Sequence, residues 1–95
     1  MNRVLSNLGL CNRAGGLVSG EEIVLESMAG GKVKYVFLAK DASEGAKKKI
    51  RNKAMYYHVE VDEGYSSAEL SMAIGKFGRM VIGITNENFL KILKK

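Results

Sequence analysis

A chain of 95 residues with 46% apolar and 26% charged side chains has the composition of one ordinary globular domain. No apolar run approaches the roughly 18 residues that a membrane-spanning helix needs, and residues 1–16 hold no continuous apolar block, so neither a membrane protein nor a secretory signal is indicated. The single cysteine, Cys11, has no internal disulfide partner, which is typical of a reducing compartment. We therefore expect one domain, residues 1–95, in the cytoplasm.

The charge is positive and unevenly distributed. A net charge of +5 and a pI near 9.4 favour an anionic partner. Residues 32–53 carry eight basic and two acidic side chains, whereas residues 59–72 carry four acidic side chains and no basic one. A basic side and an acidic side are expected, and charge alone leaves nucleic-acid binding and an ordinary basic surface equally open.

The chain opens with a predicted helix over residues 3–13, because its apolar side chains recur at helical spacing. Gly15-Gly16 ends this helix, since glycine adopts the left-handed backbone of a helix end without strain. Leu17-Val18 then adds a short extended piece. The apolar face of the helix consists of Val4, Leu5, Leu8 and Cys11.

A second helix is predicted where Ser19 and Glu22 match the Ser-x-x-Glu capping box, and it ends before Gly30-Gly31. Its free N–H groups point outward beside two glycine-rich loops, and such a helix end can receive a phosphate or the edge of a base. Glutamates in its first turn stabilise the helix dipole, so they do not indicate acid–base catalysis. The side chains expected to be buried are Ile23, Val24 and Met28.

Residues 33–39 are nearly all apolar and predict a strand buried on both faces, with Tyr35 and Phe37 in the core. Ser43 is the expected cap of a third helix, which runs to Ala54. The apolar stripe of this helix is narrow and the rest is lysine and arginine, so it should lie on the surface with a basic outer face.

Helices and strands also alternate in the second half of the chain. Residues 58–61 predict a short strand, and residues 79–84 predict another buried strand. Between them, Ser66 and Glu69 form a capping box that opens a fourth helix. A polar cap at residues 85–86 begins the last helix. Its inward side chains are expected to be Phe89, Ile92 and Leu93, and its outward ones Lys91, Lys94 and Lys95.

This alternation of helices and strands predicts helices on both faces of one sheet. The expected fold is therefore α/β, a three-layer α/β/α sandwich with a small mixed sheet of about four strands.

Residues that perform catalysis in other proteins are scarce. His58 is the only histidine and is interpreted as a packing or edge residue, and Cys11 lies on an apolar helix face. One cysteine and one histidine do not form a zinc site of the usual kind, and no phosphate loop or dinucleotide fingerprint is present. We expect no catalytic residue, no metal and no cofactor.

Phe77 differs from the other apolar residues because it lies in a short loop between glycines and cations. A loop aromatic beside Lys76 and Arg79 can stack on a nucleobase or fold back as a lid on the core, and the sequence favours neither. The methionines at helix and strand positions are instead expected to fill the core: Met28, Met55, Met72 and Met80.

Four segments, specific in combination, carry a family resemblance: LxLCNRAGGLVSGEE, GGKVK, YVFLAKDAS and SSAELSMAIGKFGRMVIGIT. In order and spacing they closely resemble the bacterial, YlxQ-like branch of the kink-turn-binding ribosomal-protein family, the L7Ae type. The resemblance covers nearly the whole chain. It implies the same α/β/α fold and binding of RNA that carries tandem sheared G·A pairs beside a bulge, the kink-turn, within ribonucleoproteins.

The resemblance also implies where RNA would dock. The start of the second helix, residues 20–26, would enter the RNA major groove beside the G·A pairs. Kink-turn binders typically read Gly-x-Asn-Glu-x-x-Lys in this stretch, and only Gly20 matches that pattern here. The replaced positions are Glu22, Ile23 and Glu26.

Loops around this helix start complete the expected site. Lys40-Asp41 ends the central strand, where the family lines its RNA-binding end, and residues 76–79 correspond to the loop that covers the bulged nucleotides. Arg13 lies in the turn that leads into the site. The predicted RNA-binding residues are Arg13, Ser19, Gly20, Glu21, Glu22, Lys40, Asp41, Lys76, Phe77, Gly78 and Arg79.

The leading hypothesis is a monomeric, non-catalytic binder of structured RNA, ribosomal RNA included, in a ribosome- or translation-associated factor away from membranes. The alternative is a protein–protein interaction module with the same fold that has lost kink-turn specificity, motivated by the acidic start of the second helix. An enzyme that acts on RNA or a nucleotide is the weakest hypothesis, because the chain lacks the residues such chemistry needs.

Overall fold

In the computed structural model, which describes residues 2–93, four short strands form one mixed sheet. The central two strands run antiparallel to each other, and one edge strand pairs with each of them. The strands are β1 (Leu17–Ser19), β2 (Tyr35–Leu38), β3 (Glu60–Asp62) and β4 (Val81–Ile84). Across the sheet the order is β1-β4-β2-β3, and of the three pairs of neighbouring strands only β2–β3 is parallel.

Helices cover both faces of this sheet. They are α1 (Arg3–Arg13), α2 (Glu21–Ala29), α3 (Glu44–Tyr57), α4 (Ser67–Ala73) and α5 (Leu90–Leu93), the last preceded by a 3-10 turn, Glu87–Phe89. α2 packs against α3, whereas α1 packs against α4 and α5. The predicted three-layer α/β/α sandwich with a small mixed sheet is confirmed.

The central strands form the core of the sandwich. Every residue of β2 and β4 is buried, because helices pack on both sides of them. Tyr35 and Phe37 belong to this core, as expected, and their rings meet edge-on with centroids 5.2 Å apart. Val33 and Ala39 are also buried but lie just outside the strand ladder, so β2 is shorter than the apolar run predicts.

Paired glycines end α1 as predicted. Gly15 has φ 71°, and its N–H donates to the Asn12 carbonyl, while the Gly16 N–H donates to the Cys11 carbonyl at 2.8 Å. This pair of bonds satisfies carbonyl groups that the last helical turn leaves without partners. His58 takes the same left-handed conformation after α3, with φ 58°. Its predicted place at a strand start is therefore wrong, and the strand begins at Glu60.

The predicted capping box at the start of α2 is also wrong. Ser19 remains in β1, where it pairs with Ile82 of β4, and Gly20 becomes the N-cap without any side-chain hydrogen bond. The sheet thus holds Ser19 in the strand instead of at the helix start. The second predicted box, Ser66 with Glu69, is present with both of its hydrogen bonds.

Several apolar side chains that were expected inside are exposed. α2 buries Val24 and Met28, which are four residues apart on one stripe, and Ile23 lies one position off that stripe. Leu93 is buried as predicted and Phe89 is half-buried. The exposed side chains are Ile23, Met55, Met72, Met80 and Ile92. The predicted outward positions of Lys94 and Lys95 lie outside the described residues.

Gly83 gives a direct test of the packing between β4 and α2. A Cβ atom at this position would lie 2.9 Å from Val33 Cγ2 and 3.4 Å from Val24 Cγ1. Gly83→Ala should therefore lower the free energy of unfolding by about 1–3 kcal/mol, because it overpacks the core. Urea unfolding measures this change.

The matched control is Gly45→Ala in α3, where no atom lies within 4 Å of the new Cβ. It should raise the free energy of unfolding by roughly 0.5–1 kcal/mol, because alanine restricts the unfolded chain more than glycine. Equal effects of the two substitutions would contradict the packing described for Gly83.

Candidate nucleic-acid interface

The sheet topology brings three loops together at one edge. Ser19 pairs with Ile82, and Leu38 pairs with Val81, so the carboxyl ends of β1 and β2 flank the amino end of β4. The hydrogen bonds continue past the strands: the Gly20 N–H donates to the Val81 carbonyl at 2.9 Å, and the Ala39 N–H donates to the Met80 carbonyl at 2.7 Å. We call the resulting surface the strand-end surface; it comprises Ser19, Gly20, Lys40, Lys76, Phe77, Gly78 and Arg79.

α2 begins in the middle of this surface. Gly20 has φ 106° and ψ 142°, and its carbonyl accepts the first helical hydrogen bond from Val24 at 3.0 Å. The left-handed φ favours glycine here, because a Cβ atom would strain the backbone. No side chain caps the helix, so the N–H groups of its first turn face outward without a side-chain partner. Their partial positive charge suits an anion or a base-edge acceptor.

Arg79 lies directly beside this helix start. Its Nη1 atom is 3.7 Å from the position that a Cβ of Gly20 would take. Its Nε atom is buried and makes no hydrogen bond to any described residue. A buried donor without a partner is unfavourable unless an acceptor arrives from outside. A hollow of about 300 Å³ lies against Arg79, with Ser19, Ile23 and Lys76 in its walls.

The loop that carries Phe77 is fixed at its base and open at its tip. Ser71 of α4, only 6% exposed, accepts from the Arg79 N–H at 2.8 Å, and the Lys76 N–H donates to the Ser71 carbonyl at 2.9 Å. Phe77 itself is 96% exposed. The lid interpretation of Phe77 is therefore wrong, and its ring is free to meet a planar group. Phe77 and Lys76 line a hollow of about 500 Å³ together with α4 side chains such as Met72.

Lys40 and Asp41 follow β2 at the same edge. The Lys40 side chain is exposed, while its N–H donates to the Tyr65 carbonyl at 2.9 Å. The Asp41 carboxylate accepts from the backbone N–H and the hydroxyl of Ser67, both at 2.7 Å. These bonds lower the pKa of Asp41 below its ordinary value. Asp41 thus ties the loop after β2 to the first residue of α4.

The glutamates of α2 are distributed around the helix start. Glu21 forms an ion pair with Lys49 of α3, with 3.2 Å between Nζ and Oε2. Glu22 and Glu26 are exposed. The acidic charge at the start of α2 is therefore partly balanced by α3 and partly open to solvent.

Arg13 lies at the carboxyl end of α1 and is exposed. It borders a hollow of about 330 Å³ between α1 and α4, on which Gly75 also lies. Its neighbour Asn12 donates to the Ile74 carbonyl at 3.1 Å and reaches the hollow beside Arg79. Arg13 therefore adjoins the loop at Gly75, and Asn12 joins α1 to the strand-end surface.

Sequence reasoning missed Asn12, Ser71 and Lys49. Ser71 had a signal, since it is a polar residue next to Leu70 on the buried side of a short helix. The roles of Asn12 and Lys49 depend on contacts with residues far away in the chain, which no local pattern reveals.

Within residues 2–93, no group of three or more histidine, cysteine, aspartate or glutamate side chains is placed to hold a metal ion. None of the helices in that range is long and apolar enough to cross a membrane. Cys11 is a buried free thiol, and desolvation raises its pKa to about 11.

The fold and the matched sequence define the class of protein. The profile of the ribosomal protein L7Ae/L30e/S12e/Gadd45 family matches residues 2–94, and the chain belongs to this family. It is similar to the RNA-binding protein YlxQ of Enterococcus faecium, with 42% identity over 98% of this chain and 89% of that protein. The Bacillus subtilis protein of the same name is 40% identical over 86% of this chain and 82% of its own length.

Solved structures agree with this assignment. A protein of unknown function from Bacillus halodurans superposes with a TM-score of 0.94 and 38% identity, covering 98% of this chain and 94% of that one. The Giardia lamblia 15.5kD RNA binding protein gives a TM-score of 0.82 at 16% identity, over 96% of this chain and 78% of that one. The Giardia likeness shows a shared fold.

Ser71 provides a test of how the loop is held. The Ser71 hydroxyl accepts from the Arg79 N–H and donates to the Arg79 carbonyl. Ser71→Ala should therefore lower the free energy of unfolding by about 1–3 kcal/mol, because two partly buried backbone groups lose their partner. Urea unfolding measures it. Ser6→Ala on the exposed side of α1 is the control, with no substantial change expected; equal losses would show that the Ser71 bond does not stabilise the loop.

Asp41 provides a test by pH. Because its pKa is lowered in the folded state, its stabilising contribution is present at neutral pH and disappears as the pH falls through the folded-state pKa. Asp41→Ala should therefore unfold at lower urea concentration than the wild type at pH 7, and the difference should narrow in acid below pH 3.8, the ordinary value.

The control for this pH series is Ser6→Ala, which removes an exposed, non-ionisable hydroxyl from α1. Its difference from the wild type should stay nearly constant over the same pH range. A difference for Asp41→Ala that is also independent of pH would contradict the role assigned to the bonds from Ser67.

Proposed function

We propose that this protein is a non-catalytic, cytoplasmic binder of structured RNA and that the strand-end surface is its RNA contact. Family membership and two relatives named RNA-binding protein support this proposal. The observation that carries it is the position of Arg79. Its guanidinium lies against the uncapped start of α2, with a buried Nε that has no acceptor among residues 2–93.

The cations around this helix start are suited to phosphate. Lys40 and Lys76 are exposed on the loops beside Arg79, and Arg13 adjoins the same loop from α1. Contacts of lysine and arginine with phosphates position an RNA without reading its sequence. Phe77, between Lys76 and Gly78, is the aromatic platform on which an unpaired base would stack.

The α2 start would supply the contacts to base edges. The Ser19 hydroxyl and the first-turn N–H groups face the groove of the RNA in this arrangement. The exposed Glu22 can accept from a guanine amino group, and Glu21 is held aside by Lys49. Asp41 supports the surface indirectly, because it anchors α4 through Ser67.

The finer part of the proposal concerns the RNA itself. The family's typical target, the kink-turn, is the expected ligand, within a ribosome- or translation-associated ribonucleoprotein. Glu22, Ile23 and Glu26 replace the family's usual base-reading residues. Recognition would then depend on the backbone N–H donors of α2 and on the surrounding loops. These groups recognise the shape of the kinked RNA more than the edges of its bases.

A second candidate function is a protein–protein interaction module on the same surface. The exposed apolar side chains favour it: Ile23 is 52% exposed, Met72 72% and Phe77 96%. Clusters of exposed apolar residues often mark protein contacts. Glu22 and Glu26, which form no ion pair within residues 2–93, would repel phosphate and attract a basic partner.

The deciding experiment is a titration of the protein with a kink-turn RNA and with the same RNA whose G·A pairs are changed to Watson–Crick pairs. Tighter binding of the kink-turn RNA is expected. Equal affinity would remove the kink-turn specificity and leave general RNA binding. Absence of binding to both, with no RNA co-purifying from cells, would favour the interaction module.

Arg79→Ala tests the contact residue. It should weaken binding of both RNAs by a similar factor, because a phosphate contact carries no sequence information. It should also reduce the log–log slope of affinity against salt by about 0.7–0.9. Lys91→Ala is the control, because Lys91 is an exposed lysine of α5, which follows the carboxyl end of β4, whereas Arg79 precedes its amino end. This variant should bind as the wild type does; equal losses in both variants would show a nonspecific charge effect.

A further inference from the structure

The outward side of α3 is a second cationic surface, separate from the strand-end surface. We call it the α3 face. At about 100° per residue, its five side chains fall within an arc of about 140°. All five are exposed, and no acidic residue of α3 lies in that arc. The α3 face consists of Lys48, Lys49, Asn52, Lys53 and Tyr56.

Within residues 2–93, the charges of the α3 face are only partly balanced by acidic side chains. Lys49 pairs with Glu21, whereas no described residue forms an ion pair with Lys48 or Lys53. Lys49 and Lys53 are also four residues apart on the helix, where like charges repel. Solvated surfaces usually intersperse both signs of charge. The repulsion between Lys49 and Lys53 is therefore a small local cost that packing of the core does not explain.

The α3 face begins beside the strand-end surface. Lys49 Nζ lies 3.2 Å from Oε2 of Glu21, the first residue of α2. From Lys48 to Tyr56 the face extends along the helix for about 12 Å, at about 1.5 Å per residue. An RNA that docks at the start of α2 can therefore continue over α3 without crossing the body of the protein.

The side chains of the α3 face are of the types that commonly contact phosphate and sugar in nucleic-acid complexes. Lysine, asparagine and tyrosine all donate hydrogen bonds to phosphate oxygens. Lys48, Asn52 and Tyr56 repeat every four residues in one line along the helix. The Tyr56 ring is 74% exposed and is held edge-on by Tyr57, with centroids 4.8 Å apart. A row of cations and neutral donors suits a polyanionic backbone better than a compact ligand.

We propose that the α3 face is a second RNA contact, which holds the phosphate backbone of a stem that adjoins the RNA at the strand-end surface. The inference rests on the proposed function, since it extends the same RNA beyond the start of α2. The contact should be independent of sequence, because a double-stranded stem is recognised mostly through its phosphates and 2′-hydroxyls and its deep major groove is closed to side chains.

The test is the double variant Lys48→Gln, Lys53→Gln, which leaves the ion pair of Lys49 intact. The control is Arg3→Gln, Lys91→Gln, which removes the same charge from α1 and α5 across the sheet. Binding of a fluorescein-labelled kink-turn RNA with an extended stem is measured by anisotropy from 0.05 to about 0.5 M salt. Arg79→Ala is measured in parallel, and thermal unfolding is recorded for every variant.

The double variant should bind roughly 20- to 60-fold more weakly at about 0.1 M salt, with a log–log salt slope reduced by about 1.4–1.8 for two lost phosphate contacts. The control should lose much less affinity and keep its slope. The melting temperature of the double variant should stay close to that of the wild type, because Lys53→Gln relieves repulsion from Lys49 while Lys48→Gln loses attraction to Glu44, four residues earlier. An unchanged melting temperature would show that the loss of binding is not caused by unfolding.

Other outcomes overturn the proposal in distinguishable ways. If the double variant and the control bind alike while Arg79→Ala binds weakly, the α3 face has no role and the strand-end surface keeps its own. If the wild type binds no RNA, both proposals fail. Binding to phosphatidylserine-containing vesicles is measured for the same variants. If the double variant binds RNA as the wild type does but binds these vesicles more weakly, the α3 face contacts a membrane surface and not RNA.

Discussion

The position of β4 between β1 and β2 is the constraint on which the rest of the structure depends. Because β4 is antiparallel to both neighbours, its amino end meets their carboxyl ends. The bonds from Gly20 to Val81 and from Ala39 to Met80 extend this pairing into the loops on either side. They bring the start of α2, the loop after β2 and the loop before β4 to one edge. Without this pairing, Arg79 would have no fixed position beside Gly20.

Much of the fold could be predicted from the sequence, because its signals are local. Apolar periodicity identified the helices and buried strands, and paired glycines marked the end of α1. The capping box at Ser66 was found for the same reason. The box at Ser19 failed because sheet pairing, which is a contact with distant Ile82, outweighed the local signal.

The candidate site was only partly predictable. The order of its loops follows from the family pattern, and the structure brings Ser19, Gly20, Lys76 and Arg79 together. The partners that hold these loops were not visible, since Asp41 bonds to Ser67, 26 residues away, and Asn12 to Ile74, 62 residues away. The exposure of Ile23 was missed because a helix of nine residues buries only a narrow stripe.

The exposed ring of Phe77 has a consequence for the energetics of association. Ser71 fixes the base of the loop at Lys76 and Arg79, so folding has already ordered the two ends of the segment that presents the ring. Covering a phenylalanine side chain contributes about 1.5–3 kcal/mol, and the fixed ends reduce the part of that gain that ordering the loop on contact would offset. The free protein therefore exposes the apolar ring of Phe77 at the tip of this loop, where any flat ligand surface can cover it.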